Sequence, residues 1–143
     1  MAANTTPYFP AVGNLASDGA TAMAPTILTA TGDYTGVSAN HAQVAKGNTN
    51  GTFVERLRFK AIGTNIQTVA RIYLNNGSTH TSAGNNSFYD EVLLPATTAT
   101  NTASTVPIEV PVSFVLPSGW TIWAGVATTV AAGWVVTAIG ADY

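Results

Sequence analysis

The chain has 143 residues and no cysteine, with 46% hydrophobic but only 8% charged residues, and five Lys+Arg against seven Asp+Glu give a formal charge of -2. One domain with a real core is expected at this length, and the lack of Cys excludes thiolate metal sites, cysteine nucleophiles and disulfide scaffolds together. The 3 Trp, 5 Tyr and 5 Phe, set among many Val and Thr, exclude a disordered chain, and the deficit of positive charge excludes a nucleic-acid module. Charge content is far below the typical ~25%, so the surface must consist of Thr, Ser, Asn, Gly and Ala, which suits a protein packed against neighbours.

Residues 1–24 show neither helical nor two-residue periodicity. Pro7, Pro10 and the small residues Ala11, Gly13, Ala16, Gly19 and Ala20 point to an extended arm. Tyr8, Phe9, Val12 and Leu15 are its apolar anchors, expected to bind a partner surface. The start of the chain has no basic n-region and no long apolar h-region, so it does not read as a secretory signal. From Pro25 the signals are for strands, making residues 25–143 a single β domain. Thr26–Thr31 is the first candidate, and Val37–Lys46 holds either a short strand or a turn of helix.

Thr52–Ile62 alternates, with Phe53, Leu57, Phe59 and Ala61 on a core face and Arg56, Arg58 and Lys60 opposite. Asn65–Asn75 repeats the pattern, Ile66, Ala70, Ile72 and Leu74 alternating against Gln67, Val69, Arg71 and Tyr73. A long polar connection, Asn76–Ser87, leads to Phe88–Leu94, and the Thr/Ala-rich loop Pro95–Thr105 follows. Val106–Leu116 puts Val106, Ile108, Val110, Val112, Phe114 and Leu116 on one face and Pro107 and Pro111 on the other. A proline cannot donate to the ladder, so this strand is at an edge or bulged. Trp120–Thr128 and Trp134–Ile139 complete about eight short strands. That count and spacing predict an all-β, antiparallel two-sheet sandwich of jelly-roll or Greek-key connection, preceded by the N-terminal arm. The uncharged stretch from Val110 to Ala141 is broken by Pro111, Pro117 and Gly119 and has no flanking Lys or Arg, so no membrane span is expected.

Chemistry is sparse. There is no Gly-x-Ser-x-Gly elbow, no phosphate-cradling glycine loop and no metal-ligand spacing, and His41 and His80 lie in polar segments where solvation is the expectation. Asp90 and Glu91 are adjacent on a strand and face opposite ways, a poor pair for glycoside hydrolysis. No catalytic residue, metal or cofactor is expected, and the chain is not read as an enzyme. Arg56, Arg58 and Lys60 form a basic face fit for an acidic partner, or else one paired internally with Asp90, Glu91 and Glu109. Trp120, Trp123 and Trp134 are read as packing residues, since a sugar-stacking platform would need neighbouring rings on one face.

The runs ARIYLNNGSTHTSAGNN, FYDEVLLPATTAT, VPIEVPVSFVLPSGW and VAAGWVVTAIGADY, spanning Ala70–Tyr143, resemble small proteins encoded among the virion genes of tailed bacteriophages. The resemblance covers about half the chain and lies in phrase and texture, with no chemical motif to carry over residue by residue. It implies a virion structural component, foremost a capsid decoration (cement) protein of β-sandwich type. Such a protein is made in the host cytoplasm and sits on the capsid surface. Its partners would be the major capsid protein and copies of itself, with a trimer favoured. A tail or baseplate accessory protein and a glycan-binding adsorption module, the latter needing exposed aromatics beside Asn76–Ser87 or Pro95–Thr105, are the alternatives.

Overall fold

The computed structural model describes residues 12–14 and 26–143. Nine strands follow in chain order: β1 (Val12–Asn14), β2 (Thr26–Leu28), β3 (Ala42–Lys46), β4 (Thr52–Ala61), β5 (Thr68–Asn75), β6 (Asn86–Leu94), β7 (Ile108–Leu116), β8 (Thr121–Val126) and β9 (Trp134–Asp142). A single turn of 3-10 helix, Ala83–Asn85, is the only helical element among the described residues, and no helix is long and apolar enough to cross a membrane.

The strands form two antiparallel sheets. In the first, β1 and β2 both pair with β9, followed by β4 and β7; in the second the order is β3-β8-β5-β6. Pairing is nested about the β5–β6 hairpin: β5 with β6, β4 with β7, β3 with β8 and β2 with β9. A long hairpin rolled on itself in this way, with its halves split between two sheets, is the jelly-roll connection expected from the strand count. Between the sheets lies one core, including Leu57, Phe59, Ile72, Leu116, Ile122 and Trp134, all 0% exposed.

The two-residue alternation is obeyed within runs and broken where a bulge resets it. Between Val54 and Arg56 the register of β4 shifts against both β7 and β9. Glu55 is the extra residue relative to β9, and β7 answers with two residues, Val112 and Ser113, across the gap. Ser113 there has φ 55°, the one non-glycine left-handed residue described. The consequence corrects the expected face of this strand: Val54 is buried at 1%, while Phe53 is only half-buried. Beyond the bulge, Leu57, Phe59 and Ala61 point inward as expected. β7 is an edge, Pro111 sits at its register shift, and Pro107 falls just before the strand begins.

Three apolar residues expected within strands fall outside them. Ile62, Ile66 and Val106 lie in loops and are 49%, 59% and 75% exposed. The ambiguous stretch from Val37 resolves into loop followed by β3, with no helix.

Candidate functional site

The predicted partner residues sit in different places. Tyr8, Phe9 and Leu15 lie outside the described residues. Val12 begins β1, whose backbone pairs with the end of β9, Val12 opposite Asp142.

Arg56, Arg58 and Lys60 do share the outer face of β4, and most of that positive charge is already committed. Arg56 pairs with Glu55 and reaches Glu109 of β7 at 3.4 Å. The Lys60 Nζ donates to the carbonyl of Thr105. Arg58 is exposed and has no ion-pair partner among the described residues. Of the carboxylates expected to balance this face only Glu109 is present; Asp90 and Glu91 belong to β6 of the other sheet.

The outer face of the second sheet is where the structure departs most from a solvated surface. Tyr73 projects outward from β5 beside Trp123 of β8 and Phe88 of β6, yet it is 0% exposed. Two loops cover it. The β2–β3 loop is held by Gly32 N–H donating to the Val126 carbonyl (2.8 Å) and by the Tyr73 hydroxyl donating to the Asp33 carbonyl. The β5–β6 loop is held by Asn86, whose amide donates to the carbonyls of Gly36, His80 and Ser82 while its Oδ1 accepts from buried Asn75.

Between loops and sheet lies an aromatic cluster. His41 stacks on Tyr73 with ring centroids 4.8 Å apart and meets His80 edge-on at 5.8 Å; His80 in turn stacks on Trp123 at 3.8 Å. Arg71 is 9% exposed and lays its guanidinium 3.5 Å over the ring of Tyr34, which packs edge-on against Phe88. The expectation of two solvated histidines is therefore corrected: His41 is 5% exposed and His80 is packed against a tryptophan. Local pattern assigns a histidine in a polar run to solvent, because folding of the loop over the second sheet leaves no trace in the residues around the histidine.

Burial sets the acid–base chemistry of the cluster. It pushes the Tyr73 hydroxyl up to about 12 and pulls His41 and His80 below the ordinary imidazole value. For Asp33 burial acts upward, but hydrogen bonds from the Thr35 hydroxyl and the Val37 and Gly36 N–H groups outweigh it and leave the carboxyl below its ordinary range. Two histidines do not make a metal centre, and no group of three or more His, Asp or Glu side chains with that capacity occurs among the described residues.

The two ends of the sandwich differ. At one, a polar cleft of about 430 Å³ is lined by Lys46, Asn48, Thr49, Ser118 and Asp142, from the β3–β4 and β7–β8 turns and β9. Gly47 is obligatory there, since a Cβ would stand 1.9 Å from the Pro117 carbonyl oxygen. At the other end, buried Asn65 ties three loops. Its amide donates to the carbonyls of Gly63 and Gly133 and to the Thr97 hydroxyl, and its Oδ1 accepts from the N–H groups of Ala132 and Gly133. Ile62, Ile66 and Val106 project from the loops this knot fixes.

Of the three tryptophans, Trp134 is core as expected. Trp123 is on the outer face of the second sheet, and Trp120 lies in the turn before β8 at 38% exposure. Comparison with protein-family models, with curated proteins and with solved structures finds no match.

Proposed function

We propose that the protein is a bacteriophage virion structural protein, a capsid decoration or cement protein that binds the assembled head shell as a homo-oligomer, a trimer by preference. The observation that carries this reading is the loop end of the sandwich. Ile62, Ile66 and Val106 are exposed on loops that Asn65 holds rigid, in a chain with only 8% charged residues. Rigid, exposed apolar groups on an uncharged surface are the character of an interface core, and preorganised loops lower the entropic cost of docking. Jelly rolls serve capsid and lectin domains alike, so the fold is compatible with this role without selecting it. The reading is that of a binding protein.

A specific observation favours one other reading. Tyr34 and Phe88, 63% and 45% exposed, stand beside the 76–87 loop, where a glycan-binding adsorption module would want aromatic rings. Native mass by multi-angle scattering and copy number in purified particles separate the two. Hundreds of copies per particle, released as a compact oligomer, is the expected result. A few copies place the protein in the tail or baseplate, and a particle-free monomer that binds polysaccharide replaces the proposal with the glycan reading.

A further inference from the structure

Among the described residues neither ring nitrogen of His41 makes a hydrogen bond of good geometry, and Nε2 of His80 is buried without one as well. Buried imidazoles are normally satisfied, so two unsatisfied ones in edge contact call for explanation. Space has been made for the first of them. A Cβ on Gly32 or on Gly125 would stand 2.1 Å from an atom of the His41 ring, so a glycine from the covering loop and a glycine from β8 grip it on two sides. A leucine or phenylalanine would fill such a slot with no polar atom to satisfy, yet the slot holds a titratable ring.

We propose that the two loops over the second sheet form an acid-released cover: protonation of His41 and His80 detaches the β2–β3 and β5–β6 loops and bares the Tyr73–Trp123 surface.

The charges around the pair decide the direction. From β5 the Arg71 guanidinium adds a third cation, and Tyr73 is neutral. The β2–β3 loop supplies Asp33 and neutral Tyr34, and β6 supplies Glu91, opposite Arg71 in register. Asp33 is the one carboxylate that favours protonation of both rings, and its Oδ1 already accepts from the Thr35 hydroxyl and the Val37 N–H. From β8 only Gly125 and Trp123 face the rings, and neither is charged. Two imidazolium ions with centroids 5.8 Å apart would repel each other, and the Gly36 carbonyl is the one backbone acceptor that favours the charge on His41.

Burial foremost holds His41 below 6.5, Arg71 adding to it, while the Gly36 carbonyl and Asp33 oppose. Burial again, then His41, does the same for His80. A base depressed in the closed form binds fewer protons there than in the open form. Closure is therefore complete above 6.5 and is lost as pH falls through that value toward the depressed one. The core does not share this sensitivity, because among the described residues the buried ionisable side chains, His41, Arg71 and Tyr73, lie on the outer face of the second sheet.

The test is amide hydrogen exchange of the full chain near neutral pH and at about pH 5, corrected for intrinsic rates, with tryptophan emission followed in parallel. Protection in segments 32–41 and 76–86 should fall by roughly tenfold or more at the lower pH while β4 and β9 stay protected. In His41→Phe, which keeps a flat ring in the slot, the fall should vanish. His80→Phe, at the less buried position, should at least halve it and guards against a folding defect in the first variant. Loop protection that is the same at both pH values, or that falls equally in both variants, overturns the proposal.

Discussion

Asn65 shows how much one polar side chain can organise when it is buried with every valence used. It is 3% exposed and makes five hydrogen bonds, three as donor and two as acceptor, to the β4–β5, β6–β7 and β8–β9 loops. Its sequence neighbourhood gives no warning: Asn65 sits at the head of an alternating run and reads as the first residue of a strand. What the run contains instead is a loop residue whose partners are up to 68 positions away. Replacing it by Ala leaves the Gly133 N–H without its acceptor and empties the space the amide filled, at a cost of about 3 kcal/mol. Urea unfolding should show that loss with an unchanged slope, and Asn65→Asp should fall between, since it keeps the acceptor and loses the donors. A loss under about 0.5 kcal/mol, the level of an ordinary surface change, would mean the loops hold one another without the knot.

Among the elements, the two sheet edges that flank the same side of the sandwich are guarded by different means. β7 carries Pro111, which has no N–H to offer, and a left-handed Ser113 that breaks the ladder. β6 has neither. It is nine residues long, and Phe88, Tyr89 and Leu93 are 45%, 38% and 54% exposed on it, so its protection is a register shift that leaves Tyr89 unmatched against β5, together with the adjacent pair Asp90 and Glu91. Converting both to Thr keeps β propensity and removes the charge. Light scattering should then show concentration-dependent association beyond that of the parent protein, with the thermal midpoint little changed; an unaltered particle size would show that the register shift and the aromatic side chains block pairing without the charges.

Strands β7 and β5 mark how far the sequence can be read. Val106–Leu116 was legible as an edge because proline's missing donor is a local fact, and β5 was legible because Ala70, Ile72 and Leu74 alternate. The β4 bulge was not, because the extra residue at Glu55 is defined only against β7 and β9. Nor was the cover of the second sheet, although Tyr73 in the outward phase of β5 is the one local sign of it: a large ring placed among polar positions implies something above it.

For the whole molecule, the separation of its surfaces makes the assembly proposal divisible. Arg58 lies on the outer face of the first sheet and Val106 at the loop end, so these two can be changed without touching each other. On the charged face only Arg58 is unpaired among the described residues, because Arg56 is spent on Glu55 and Glu109 and Lys60 on a backbone carbonyl. Arg58→Gln alone should therefore reproduce most of what neutralising Arg56, Arg58 and Lys60 together does to shell binding. The expected effect is a loss of about threefold at low salt that disappears by ~0.5 M, where exposed charges are screened. Val106→Asp should act differently. It puts a charge where apolar surface is to be desolvated, weakening binding by roughly tenfold or more at every salt concentration through faster dissociation. Titration of purified shells with each variant across ionic strength measures both. If Arg58→Gln leaves the salt dependence intact, the basic face is ordinary solvated surface. If Val106→Asp binds as tightly as the parent, the loop end is not the contact, and docking must run through the arm or the opposite end of the sandwich.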